Sequence, residues 1–150
     1  MDADGTLWKA KTKKPWKIKD ASLDNSTIQL LQEIKRLKSR IIMISYQSHT
    51  QKKKAVKKLS LWLSSFKLNK YIDKVYVADK KRNPKHKIIS KMLENLKIKN
   101  KDAIMIGDSY KWDYLAAKKA GIRGFLLKRP ENNKYKVRKY TLGKMKDILK

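Results

Sequence analysis

Short apolar runs that each end on a polar residue set the frame for this chain. Ile41-Ile42-Met43-Ile44 ends on Ser45, and Ala103-Ile104-Met105-Ile106 runs through Gly107 into Asp108. Continuous runs of this length suit strands covered on both faces of a parallel sheet. Lys74–Ala78 and Gly124–Lys128 read as two weaker strands of the same kind. Between them, apolar residues recur at helical spacing. Ile28, Leu30-Leu31, Ile34 and Leu37 form one such stretch, with Asn25 or Ser26 as its N-cap. Val56, Leu59, Leu61-Trp62-Leu63 and Phe66 form a second, and Ile88-Ile89, Met92-Leu93 and Leu96 a third. Tyr114-Leu115, Ala117 and Ala120 form a fourth, stopped by Gly121, and Gly143 to Leu149 reads as a short closing helix. Alternating strands and helices predict an α/β fold, an open, doubly wound parallel sheet flanked by helices. Ligands of such sheets bind beyond the carboxyl ends of the strands, where Ser45 and Asp108 fall.

A chain of 150 residues predicts one domain over 1–150, large enough for a real core. No segment has the apolar length of a membrane span. The first residues are acidic where a signal peptide would be basic and then apolar. Cysteine is absent, which excludes disulfides and thiolate chemistry. A cytoplasmic location is the default expectation. The net charge is +27, with 40 Lys and Arg against 13 Asp and Glu. Only Glu33, Glu94 and Glu131 are glutamates, so a thermophile-style Lys–Glu network is not in place. Two readings of the charge remain, a coding bias towards lysine or a polyanionic partner such as nucleic acid.

The acids are few and concentrated. Asp2-Ala3-Asp4-Gly5-Thr6 sets two carboxylates two residues apart in a tight loop, and Gly107-Asp108-Ser109 is followed by Asp113. An Asx turn would explain the first group, and a helix N-cap would explain Asp108. Metal binding explains both groups at once in an acid-poor chain. Asp2 can act as a nucleophile towards phosphorus. A hard cation such as Mg²⁺ suits carboxylates plus phosphate oxygens.

Asp2 and Asp4, then Ser45, then Lys85, then Asp108 with Asp113 resemble, in that order, the four motifs of the haloacid dehalogenase-like hydrolases. The resemblance covers nearly the whole chain. It implies a Rossmann-like fold and a Mg²⁺-dependent phosphatase that works through an aspartyl-phosphate. It implies Asp2 as nucleophile and Asp4 as general acid and base. It implies a metal held by Asp2, the Asp4 carbonyl and Asp108, with Asp113 orienting a metal-bound water. Ser45 and Lys85 would bind the substrate phosphate. Lys85 is selected by its spacing to Ile88-Ile89, with Lys87 in reserve. Tyr46, Gln47 and Ser48 could add hydrogen-bond donors, and His49 reads as a helix-start residue.

The spacings leave no room for a cap domain between Asp4 and Ser45 or between Ser45 and Lys85. The chain thus resembles the capless branch, similar to its magnesium-dependent phosphatases, and an open site accepts bulky phosphorylated substrates. Lys9, Lys11, Lys13, Lys14, Lys17 and Lys19, with Trp8 and Trp16, form a basic, aromatic flap. Such a flap could hold nucleic acid or be a surface loop with two anchoring tryptophans. Two rivals follow from the charge: a polynucleotide end-phosphatase, and a non-catalytic basic nucleic-acid-binding module on the same scaffold. The family has a central strand before the first motif, yet only Met1 precedes Asp2. The expectation is that this strand is truncated here and that a few apolar residues precede Met1 in the working protein.

Overall fold

Strand periodicity sorts this molecule into two faces. In the computed structural model, Met43 and Ile106 point into one apolar cluster, while their neighbours Ile44 and Met105 point into another. Successive side chains on a strand alternate between faces, so a run that is apolar throughout needs cover on both. The structure describes residues 1–10, 18, 21–23, 25–46, 52–79, 82–128, 134, 135, 137, 141, 142, 147 and 148.

Seven strands and four α-helices are found among the described residues. The chain opens with the loop of the first motif, then β1 (Trp8–Ala10), β2 (Ala21–Leu23), α1 (Asn25–Arg36) and β3 (Ile42–Tyr46). Next come α2 (Lys52–Ser65), β4 (Lys74–Ala78), α3 (Lys85–Asn95) and β5 (Ile104–Gly107). A wide π-type turn (Tyr110–Tyr114) leads into α4 (Leu115–Lys119), followed by β6 (Arg123–Leu127) and β7 (Thr141–Leu142). β3 and β4 pair in parallel, with Ser45 opposite Val77. β5, β6 and β7 also pair in parallel, with Gly107 opposite Leu126. Leu30 and Leu31 of α1 and Leu59, Trp62 and Leu63 of α2 fill one cluster. Ile88, Ile89 and Leu93 of α3 and Ala117 of α4 fill the other. This is the doubly wound α/β architecture that the sequence predicts.

The strand expected before Asp2 is represented by two residues that tie both halves of the sheet together. The Met1 ammonium donates to the Ile42 carbonyl at 2.7 Å, and the Met1 carbonyl accepts from Ile44 N at 2.9 Å. On the other side Asp2 N donates to the Ile106 carbonyl at 2.9 Å. Backbone groups of β3 and β5 that would otherwise be buried and unpaired thereby find partners.

The basic flap is a hairpin of β1 and β2, with Trp8 opposite Leu23 and Ala10 opposite Ala21. Lys11, Lys13, Lys14, Trp16, Lys17 and Lys19 lie outside the described residues, as do Gln47, Ser48, His49 and most of Gly143 to Leu149. No cap domain is present among the described residues. No described helix is long and apolar enough to cross a membrane.

All four helices end in the same way. Ser39 N donates to Ile34 O, Leu68 N to Leu63 O, Ile98 N to Leu93 O and Ile122 N to Ala117 O. These bonds close Schellman motifs, which need a left-handed residue just past the helix. Gly121 fills that place after α4 (φ 72°), but Lys38, Lys67 and Lys97 fill it after α1, α2 and α3 (φ 55°, 56° and 53°).

Candidate active site

The first motif is a loop wound tightly on itself. Thr6 N and Leu7 N both donate to the Ala3 carbonyl, at 3.1 and 2.8 Å, and Gly5 N donates to Trp8 O at 2.8 Å. Gly5 has φ 77°, and a Cβ there would lie 2.1 Å from Asp108 Oδ2. Only glycine allows this approach of the backbone to the second acidic motif. Thr6 Oγ1 donates to Asp108 Oδ1 at 3.4 Å and links the two motifs directly.

Trp8 is fully buried, its ring tilted 5.4 Å from Trp62 and stacked 5.8 Å from Phe66. Its indole N–H donates to Asp4 Oδ1 at 2.8 Å. Of the two readings of the flap, Trp8 thus fits the anchor, because a buried ring cannot stack on a base. Its contact with Asp4 was not legible in the spacing: a residue four positions on meets Asp4 only because the loop reverses.

The second acidic group depends on the turn after β5. Ser109, not Asp108, caps that turn, its hydroxyl accepting from Trp112 N at 3.2 Å. The N-cap explanation of Asp108 therefore fails. Asp113 N and Tyr114 N both donate to the Ser109 carbonyl, at 2.9 and 3.2 Å, and this wide winding points Asp113 inward. A Cβ on Gly107 would lie 2.3 Å from the Asp113 Cβ and Cγ, so this glycine makes room for the acid.

Lys85 is the first residue of α3. Ahead of it Asp79 N donates to Asn83 O at 2.9 Å, and Asp79 Oδ1 accepts from Arg82 N at 2.8 Å. This turn starts the helix over the site. The Lys85 ammonium donates to Asp2 Oδ1 and to Asp113 Oδ1, each at 2.5 Å. Lys85 and Asp113 are each 1% exposed, and Asp2 is buried. Lys87 is exposed on the far side of the same turn. Tyr46, at the end of β3, places its ring 5.1 Å from the Lys85 Nζ.

These contacts set the charges. Burial works against the Lys85 ammonium, but Asp2 and Asp113 outweigh it and raise its pKa. Burial and then repulsion from Asp2 push the Asp113 carboxyl up to about 6, against the pull of Lys85 and the Ser109 N–H. Strong shifts at a cluster beyond the strand ends are a mark of a functional site.

Asp2, Asp108 and Asp113 each offer a carboxylate oxygen, all within 4.8 Å of one another. Oxygen-only donors at this spacing fit a hard divalent cation such as Mg²⁺. Asp4 is half-buried, two residues on from Asp2, and accepts from the Trp8 indole. Ser45 is buried at the end of β3, its hydroxyl turned to the Tyr46 carbonyl at 3.4 Å. The structure thus brings together Asp2, Lys85, Asp108 and Asp113, while Asp4 bonds to Trp8 and Ser45 to Tyr46.

The model of the haloacid dehalogenase-like hydrolase family matches residues 6–127. The chain belongs to this family. The match begins just after Asp2 and Asp4, so those two rest on their own geometry. A search of curated proteins gives no significant match. Among solved structures, this hydrolase is similar to a protein of Listeria monocytogenes serotype 4b (19% identity, TM-score 0.71, covering 98% of this chain and 92% of the other). It is similar to the D,D-heptose 1,7-bisphosphate phosphatase of B. bronchiseptica, solved with magnesium and phosphate (11%, TM-score 0.75, 98% and 92%). It is also similar to a phosphatase of the family from Thermococcus onnurineus (22%, TM-score 0.68, 87% and 58%). At these identities the likeness is one of fold.

Proposed function

We propose that this hydrolase is a Mg²⁺-dependent phosphomonoesterase working through an aspartyl-phosphate on Asp2. One observation carries the reading: Asp2 sits at the carboxyl end of the sheet, bonded to a buried lysine and grouped with Asp108 and Asp113. A phosphatase fold neighbour solved with magnesium and phosphate supports it.

An Asp2 carboxylate oxygen attacks phosphorus while the ester P–O bond breaks, which leaves an acyl phosphate. Asp4 gives its proton to the departing alcohol oxygen and takes one from the water that later cleaves the acyl phosphate. Lys85 offsets charge gathering on the nucleophile and phosphoryl oxygens. Ser45, after rotation of its hydroxyl, donates to a phosphoryl oxygen. Mg²⁺, held by Asp2, Asp108 and the Asp4 carbonyl with Asp113 beside them, would supply the positive charge that lets a carboxylate approach a phosphate dianion. The capless branch that the sequence resembles would leave the site open to bulky substrates.

The test is turnover of a panel of phosphorylated sugars, nucleotides, peptides and oligonucleotide ends, with and without Mg²⁺. Turnover that persists undiminished in excess chelator would sink the metal dependence, and wild-type turnover by Asp2→Asn would sink the nucleophile. The charge of +27 motivates a second reading, a polynucleotide end-phosphatase. Inhibition by short oligonucleotides that weakens steeply with salt supports it, because binding releases condensed counterions.

A further inference from the structure

Lysine offers three N–H donors, and the Lys85 ammonium spends two of them on Asp2 and Asp113. A further neighbour, the Tyr46 side chain, is neutral. The Tyr46 ring lies 5.1 Å from Nζ, inside cation–π range. The Tyr46 hydroxyl accepts from the Lys85 backbone N–H at 3.4 Å. One side chain therefore meets both ends of the same lysine. Tyr46 is itself braced by Trp112, edge to face at 5.2 Å, and Trp112 adjoins Asp113 in the chain. Tyr46 thus joins the end of β3 to the turn that carries Asp113.

We propose that Tyr46 is a positioning residue for Lys85, its ring serving as a neutral anchor that holds the ammonium in place while the charges on its other side change. This rests on the phosphatase reading above. In that reaction the Asp2 oxygen forms its bond to phosphorus as the ester P–O bond breaks, and the carboxylate becomes a mixed anhydride. One of the two anions that Lys85 holds in the resting protein is then phosphorylated, and the negative charge moves out to the phosphoryl oxygens. Asp113 alone would leave the ammonium free to shift towards the phosphoryl charge. A ring quadrupole does not change through the cycle, so Lys85 returns to the same position at every step.

The test uses Tyr46→Phe, which keeps the ring, and Tyr46→Leu, which removes it. Tyr46→Leu should lose about 30-fold in kcat, the size of a desolvated cation–π contact, with KM little changed. Tyr46→Phe should recover most of that loss. Wild-type kcat in Tyr46→Leu, or an equal loss in both variants, would overturn the proposal. A readout independent of turnover is the ¹H–¹⁵N signal of the Lys85 ammonium, assigned by its absence in Lys85→Arg. A ring-current upfield shift in both wild type and Tyr46→Phe is expected, and an ordinary lysine shift would overturn the anchor even if Tyr46→Leu fails to fold. Absence of all phosphatase activity in the wild type, with the ring-shifted signal present, would instead sink the phosphatase reading and keep the anchor.

Discussion

Lysine–aspartate contacts of almost equal length lie at opposite ends of the sheet. At the carboxyl end Lys85 meets Asp2 and Asp113 at 2.5 Å, the lysine and Asp113 side chains each 1% exposed. At the amino end Lys35 meets Asp73 at 2.6 Å, with a third of each side chain in water. Asp73 Oδ2 also accepts from Ile41 N at 2.6 Å, which fastens the entry of β3. Burial separates them. The exposed pair is worth little, because water screens it. In the buried cluster neither sign of charge can be removed alone without stranding the other. The same pair of residue types is a clasp at one end and a charge store at the other. Two glycines serve the site: Gly5 and Gly107 open room for acids at the carboxyl end. At the amino end, lysines occupy three left-handed helix termini where glycine would fit with less strain.

The contrast can be broken from its larger side first. Asp2→Asn should abolish turnover while the fold persists, read as phosphate release beside an unchanged circular dichroism spectrum. Asp4→Asn should lower kcat by roughly 10²–10⁴-fold, the usual cost of a lost proton-transfer group. A large loss of Mg²⁺ affinity with kcat intact would instead assign Asp4 to metal binding through its side chain. Lys85→Ala should cost about 10²–10³-fold in kcat, typical of a lost charge-stabilising donor, and Lys87→Ala should leave kcat unchanged. Equal effects of the two would show that burial does not distinguish them.

At the other end the effects should be small and confined to stability. Partial burial works against the Asp73 charge, but Lys35 and the Ile41 N–H outweigh it and hold its carboxyl below the usual range. A depressed carboxyl stabilises the fold above its unfolded pKa, about 3.9, and loses that contribution as pH falls through the folded value. Asp73→Asn should therefore lower the melting temperature slightly at neutral pH and flatten its fall in acid, with kcat untouched. Smallest of all, Lys67→Gly should gain up to about 1 kcal/mol from relieved left-handed strain, reduced by the greater freedom of glycine in the unfolded chain. A denaturant melt decides it.

The amino end and the helices were legible because their signals are local. Runs such as Ile42–Ile44 and periodic pairs such as Leu30-Leu31 state their own burial. At the site, the acids stand out by type and spacing in an acid-poor chain, and the resemblance to the family points to Lys85, with Lys87 in reserve, among so many lysines. What spacing could not state was how chain reversals bring side chains together. Trp8 reads as a flap aromatic and proves to hold Asp4 from the core. Tyr46 reads as one more donor near Ser45, yet its hydroxyl accepts from Lys85. The hairpin of β1 and β2 and the two-residue β7 carry too few residues for a periodic signal.

The Trp8 indole has a consequence for how this enzyme can change. It is bolted between Trp62 and Phe66 on one side and reaches Asp4 on the other. Helix α2, which supplies both bolts through Trp62 and the turn at Phe66, carries none of the family's motif residues. Drift in that helix would be expected to pass for neutral repacking. Through one N–H it reaches Asp4, the proposed proton donor, so on that reading the lineage is not free to redesign its interior without also retuning its chemistry.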